Sequence, residues 1–124
     1  LTSITDQQAE SLSKVEVYLS LNGLTSITDE QAEILSGVSD LSLNGLTTIT
    51  DQQAEILSGV SDLSLNGLTS LTDKQADSLG KVRFWLNLNG LTSITDQQAE
   101  SLSKVKNMGV LNALRPLIDK YKKQ

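Results

Sequence analysis

Residues 38–59 read V-S-D-L-S-L-N-G-L-T-T-I-T-D-Q-Q-A-E-I-L-S-G, and these 22 residues decide the fold. Leu41 and Leu43 are two apart, so on an extended chain they share one side, with Val38 leading in. Asn44-Gly45 then turns the chain, and Leu46 and Ile49, three apart, anchor the loop that follows. Thr50-Asp51-Gln52-Gln53 fits a capping box, in which the Thr hydroxyl accepts from the backbone three residues on and the Gln reaches back. Asp51 in the first turn suits the positive end of a helix dipole. Ala54 and Leu57 share the inward face of the helix so begun, and Gly59 is placed to end it.

The unit recurs. Leu-Asn-Gly-Leu begins at Leu21, Leu43, Leu65 and Leu88, giving spacings of 22, 22 and 23 residues. Residues 1–15 recur identically at 91–105, and residues 31–47 at 53–69. Copies this alike indicate a recently expanded array or a deliberate consensus design. The capping phrase returns at Thr5 with Gln8, Thr28 with Gln31, Thr72 with Gln75 and Thr95 with Gln98. A hairpin built on each Asn-Gly would need a second strand directly after the turn. Here a capped helix follows instead, and one strand per unit, always re-entered from a helix, predicts a parallel sheet.

The pattern V/L-x-x-L-x-L-x-x-L-x-x-I-T-D-x-x-A-x-x-L resembles the leucine-rich repeat, in bacterial-type tandem units closest to its cysteine-containing subtype. The loop position that the subtype fills with Cys or Asn is Leu here, at Leu24, Leu46, Leu68 and Leu91. The resemblance covers nearly the whole chain. It implies an α/β, right-handed, curved solenoid with the parallel sheet on its concave face and short helices on its convex face.

Units one and four are one residue longer, as Val15-Glu16-Val17-Tyr18-Leu19 and Val82-Arg83-Phe84-Trp85-Leu86. Alternation puts Val17, Leu19 and Leu21 inward, and likewise Phe84, Leu86 and Leu88. The strand pattern returns once more as Val105, Met108 and Val110. Leu111, Leu114, Leu117, Ile118 and Tyr121 then carry helical spacing, with Pro116 near the start, where its missing N–H is tolerated. An amphipathic helix there is what a terminal capping unit requires. The chain thus divides into repeats over 1–105 and a strand plus capping helix over 106–124, within a single domain. Leu1 falls in mid-repeat without a matching cap, so we expect a piece of something longer, or a processed or engineered chain.

Composition narrows the chemistry. The 124 residues are 38% hydrophobic but only 3% aromatic, so Leu, Ile, Val and Ala must build the core. Stacked repeats allow this, because each covers its neighbour. With no Cys and no His, disulfides, thiol nucleophiles, a His base and the usual zinc sites are excluded. No apolar run approaches the ~18 residues of a membrane span. Charge is uneven: residues 1–80 hold 12 Asp/Glu against 2 Lys, and residues 81–124 hold 3 against 8 Lys/Arg. That polarity suits a solvated tail, or else orientation of a partner and head-to-tail stacking of copies.

In a parallel stack, equivalent outward positions form rows about 4.8 Å apart. The row before the first strand Leu reads Tyr18, Asp40, Asp62, Trp85, Asn107, and it is the most site-like constellation in the chain. Aromatic faces beside carboxylates suit a Lys- or Arg-bearing peptide, or a stacked sugar; the other reading is variable exposed strand positions, with the aromatics shielding the sheet near its ends. Two carboxylates alone make a weak metal site. The next rows, Ser20, Ser42, Ser64, Asn87 and Asn22, Asn44, Asn66, Asn89, suit a structural ladder. Capping accounts for Asp6, Asp29, Asp51, Asp73 and Asp96. Ile34 and Ile56 stand where other units have Ser11, Ser78 and Ser101, about 200° from the inward Ala, and are expected as an exposed convex pair. The Lys120, Tyr121, Lys122, Lys123 cluster is expected to be a solvated helix end, without the aromatic interleaving of a nucleic-acid surface.

The expected function is a non-catalytic module that binds a protein or peptide, a basic one among the candidates, on the sheet, with no cofactor, metal, nucleic acid or membrane. Carbohydrate binding is a lesser expectation. The alternative is a structural spacer in a longer array or an engineered scaffold, which near-identical units also fit.

Overall fold

In the computed structural model, which describes residues 3–12 and 18–122, each capping phrase opens a helix of seven residues. These are α1 (Asp6–Leu12), α2 (Asp29–Leu35), α3 (Asp51–Leu57), α4 (Asp73–Leu79) and α5 (Asp96–Leu102). At Thr28, Thr50, Thr72 and Thr95 the hydroxyl accepts from the Gln N–H three residues on, and the Gln side chain accepts from the Thr N–H. Thr5 and Gln8 make the same pair. Two turns of helix are too short to persist alone in water. Burial holds them, since Ala32, Ala54, Ala76 and Ala99 and the Leu three residues after each are fully enclosed.

Between the helices lie β1 (Leu19–Ser20), β2 (Asp40–Ser42), β3 (Asp62–Ser64), β4 (Trp85–Asn87) and β5 (Asn107–Gly109), followed by α6 (Arg115–Lys122). All neighbours pair in parallel, in the order β1-β2-β3-β4-β5. Leu41, Leu63, Leu86 and Met108 stand in one cross-strand row, buried, with Leu43, Leu65 and Leu88 beside them. Leu24, Leu46, Leu68 and Leu91 are also buried. The result is a solenoid-like α/β stack with one continuous aliphatic core.

Two glycine positions behave differently. The Asn-Gly turn is closed by Leu46 N–H donating to Leu43 C=O at 3.2 Å. No described glycine has a left-handed φ. What Gly45 supplies is clearance: a Cβ there would lie 2.3 Å from the carbonyl oxygens of Asn22 and Leu24 in the preceding unit. Gly67 and Gly90 are crowded the same way. Gly59 does not end its helix as expected. Ser58 is the C-cap, right-handed, with its hydroxyl donating to Glu55 C=O at 2.6 Å. A Cβ on Gly59 would meet nothing nearer than 3.6 Å.

Three further expectations are corrected. Phe84 points to solvent, 46% exposed, not inward. The extra residue of unit four is taken up as a bulge, in which Phe84 N–H and Trp85 N–H both donate to Ser61 C=O, at 3.0 and 3.2 Å. Alternation restarts after the bulge, with Leu86 and Leu88 buried. The terminal helix is shorter than its spacing predicts. It begins at Arg115, so Leu111 precedes it and is exposed. Ile118 is fully buried, and Leu114, Leu117 and Tyr121 pack beside it. Lys122 Nζ donates to Val105 C=O at 2.6 Å and Lys106 C=O at 3.2 Å, tying α6 to the loop after α5. That cation is a latch and not a solvated end. Val15, Glu16, Val17 and Lys123 lie outside the described residues.

Candidate binding site

The units are joined by polar bonds as well as by the core. The capping residues Gln31, Gln53, Gln75 and Gln98 each use Oε1 within their own box and Nε2 across the repeat boundary. Gln53 Nε2 donates to Ile27 C=O at 2.9 Å, Gln75 to Ile49 C=O at 2.8 Å and Gln98 to Leu71 C=O at 2.9 Å. Gln31 bonds Ile4 C=O likewise. This latch was missed from the sequence, yet a signal existed. Glu serves a capping box as well as Gln, and all five boxes carry Gln, the only one with a donor to spare.

On the solvent side of the sheet the Ser and Asn rows form the expected ladder. Ser42 Oγ donates to Asn22 Oδ1 at 2.6 Å and Ser64 Oγ to Asn44 Oδ1 at 2.7 Å. The same Asn oxygens accept the backbone N–H of Asn44 and Asn66, and Asn66 accepts from Asn89 N–H. Ser42, Ser64, Asn22, Asn44 and Asn66 are thereby consumed in holding unit to unit.

The row beside them is built differently. Asp40 pairs in register with Asp62, Asp62 with Trp85, and Trp85 with Asn107. Tyr18 directly precedes β1, whose Leu19 is in register with Leu41, so it extends the row past Asp40. Tyr18 is 51% exposed and Trp85 43%, and the two carboxylates between them are partly exposed. Partial burial and the facing Asp62 charge both raise the Asp40 carboxyl above its ordinary value. Trp85 Nε1–H donates to Asn87 Oδ1 at 2.7 Å, while Asn107 Nδ2 donates to Phe84 C=O at 3.0 Å. The bulge adds Phe84 to the exposed aromatics, a residue that simple alternation hid in the core.

Ile34 and Ile56 are not an exposed pair. Both are half-buried and pack against the core, and Ser78 at the equivalent position is buried. The helices stand side by side, so a residue on the flank of one is covered by its neighbours. Among the described residues, no three acidic side chains converge as metal ligands, and no helix is long and apolar enough to cross a membrane. Shallow grooves between successive loops, such as the one of about 230 Å³ lined by Ile49, Leu71 and Gln75, are floored by the capping residues themselves. A scan against protein-family models found no match for the chain, and a search of curated proteins found none.

Proposed function

We propose that the chain is a right-handed, curved leucine-rich-repeat solenoid and that it acts as a non-catalytic binding module. A protein or peptide would be received on the open, concave face of the sheet. One observation carries this reading. The row Tyr18, Asp40, Asp62, Trp85, Asn107 sets two exposed aromatics and two partly exposed carboxylates in register, whereas Ser42, Ser64, Asn22, Asn44 and Asn66 of the adjacent rows are bonded into the ladder. Tyr18 and Trp85 leave 51% and 43% of large aromatic side chains in solvent, surface that a partner would cover.

The second reading, a spacer or engineered scaffold, is favoured by the identity of residues 31–47 with 53–69. Head-to-tail stacking is disfavoured at the C-terminal end, where α6 packs on α5 and its Ile118 is buried. Affinity capture followed by amide-shift mapping separates these readings. A binder retains a protein whose footprint falls on the five-residue row, and Asp40→Ala with Asp62→Ala weakens it. A spacer shows no such footprint.

A further inference from the structure

The strand positions that read Asp40-Leu41-Ser42 and Asp62-Leu63-Ser64 in units two and three become Trp85-Leu86-Asn87 and then Asn107-Met108-Gly109. Three of these departures are mechanically coupled. The indole N–H of Trp85 needs an acceptor, and Asn87 Oδ1 supplies it at 2.7 Å. Asn87 in turn occupies space that the next strand's side chain would fill, since a Cβ on residue 109 would lie 2.1 Å from that same Oδ1. Gly109 therefore leaves the Asn87 amide room to stay on the indole, and a side chain at 109 would displace it. Glycine weakens a strand, so the sheet alone does not explain Gly109, and 43% of the indole is left to solvent. What the three residues produce is an aromatic platform whose direction along the strand is fixed before any ligand arrives.

Its neighbours define what it takes. Asp62 stands directly beside Trp85 in the register, and Asp40 beside Asp62. Burial and the adjacent Asp62 both raise the Asp40 carboxyl. An aromatic face attracts a cation through its quadrupole, and a carboxylate pair alongside supplies the countercharge. Building on the binding-module reading, we propose that Trp85, positioned by Asn87 over Gly109, receives the Arg or Lys side chain of an extended peptide, with Asp62 and Asp40 meeting its charge and Phe84 flanking it.

Trp85 is the sole tryptophan of the chain, so its intrinsic emission reports on this platform alone. The intact chain is titrated with a peptide of alternating Arg and Ser, with a Glu-Ser peptide and with soluble cello- and chito-oligosaccharides. The expected result is a saturable change in emission with the Arg-Ser peptide only, weakened by added salt. Asp62→Asn is expected to lower affinity roughly three- to ten-fold. Asn87→Ser, which restores the residue of units two and three, is expected to do the same while the thermal melt stays cooperative. Silence toward the Arg-Ser peptide, an equal response to Glu-Ser, or full affinity in a folded Asn87→Ser variant overturns the proposal. A response to oligosaccharide alone also overturns it and reassigns the platform to sugars. If a captured protein still maps to the sheet row while the Arg-Ser titration is silent, this inference fails and the binding-module reading stands; if both are silent, both fail.

Discussion

Gln75 Nε2 donates to the Ile49 carbonyl of the preceding unit at 2.8 Å while its Oε1 accepts from Thr72 N–H at 3.1 Å. One amide thus starts a helix and fastens two units. Glu would keep the first role and lose the second, leaving a buried carbonyl without its donor and facing a carboxylate. Gln75→Glu is expected to destabilise the chain by about 1–3 kcal/mol in urea unfolding. Gln8→Glu, at an exposed box, is the control and should change little. Equal stability of the two variants would show that the cross-unit bond is dispensable.

Glycines at corresponding loci should split into two classes. Gly67→Ala drives a methyl to 2.3 Å from Asn44 C=O and 2.4 Å from Leu46 C=O, both backbone, so the units must part. A loss of about 1–3 kcal/mol or more is expected. Gly59→Ala meets only Ile56 C=O at 3.6 Å, with no left-handed φ to strain. It should raise stability by about 0.4–1 kcal/mol through the unfolded chain. Thermal melts of the two variants moving in the same direction would contradict the clearance argument.

How far the sequence led is plain at these residues. Thr50 and Gln53 announce a helix start because capping is local, and Leu41 and Leu43 announce a strand because their spacing is. The Gln75 latch is tertiary: it depends on where the previous unit's loop lies. Phe84 was misplaced because alternation counts residues from Val82 and cannot tell which one a bulge will absorb. The Tyr18–Asn107 row was visible because counting back from the first strand Leu of each unit carries register across the stack, even over the extra residue of unit four. The coupling of Trp85, Asn87 and Gly109 was not, because it passes from side chain to side chain.

Acid should favour the fold at Asp40. Burial and the Asp62 charge raise its carboxyl in the folded state, so the fold prefers the protonated form. The contribution is full below the ordinary unfolded carboxyl value and is lost as pH rises through the raised folded one. Asp40→Asn should therefore melt higher than the parent at neutral pH, and the gap should close toward acid. A gap that widens on acidification has the wrong sign for this account.

Deleting residues 53–74 removes one 22-residue unit in phase and joins two capping phrases without a seam. Stability in such stacks is a sum over units and their interfaces. The shortened chain should still unfold cooperatively, at a lower midpoint and with a denaturant slope reduced by roughly one sixth. Loss of cooperative unfolding would mean that the units are not interchangeable.

The most direct test of the binding face is a footprint. Backbone amide shifts or hydrogen exchange are recorded with and without a protein captured by the chain. The account predicts changes concentrated at Tyr18, Asp40, Asp62, Trp85 and Asn107, with α2 and α3 unaffected. Changes confined to the helices that carry Ile34 and Ile56 would contradict it.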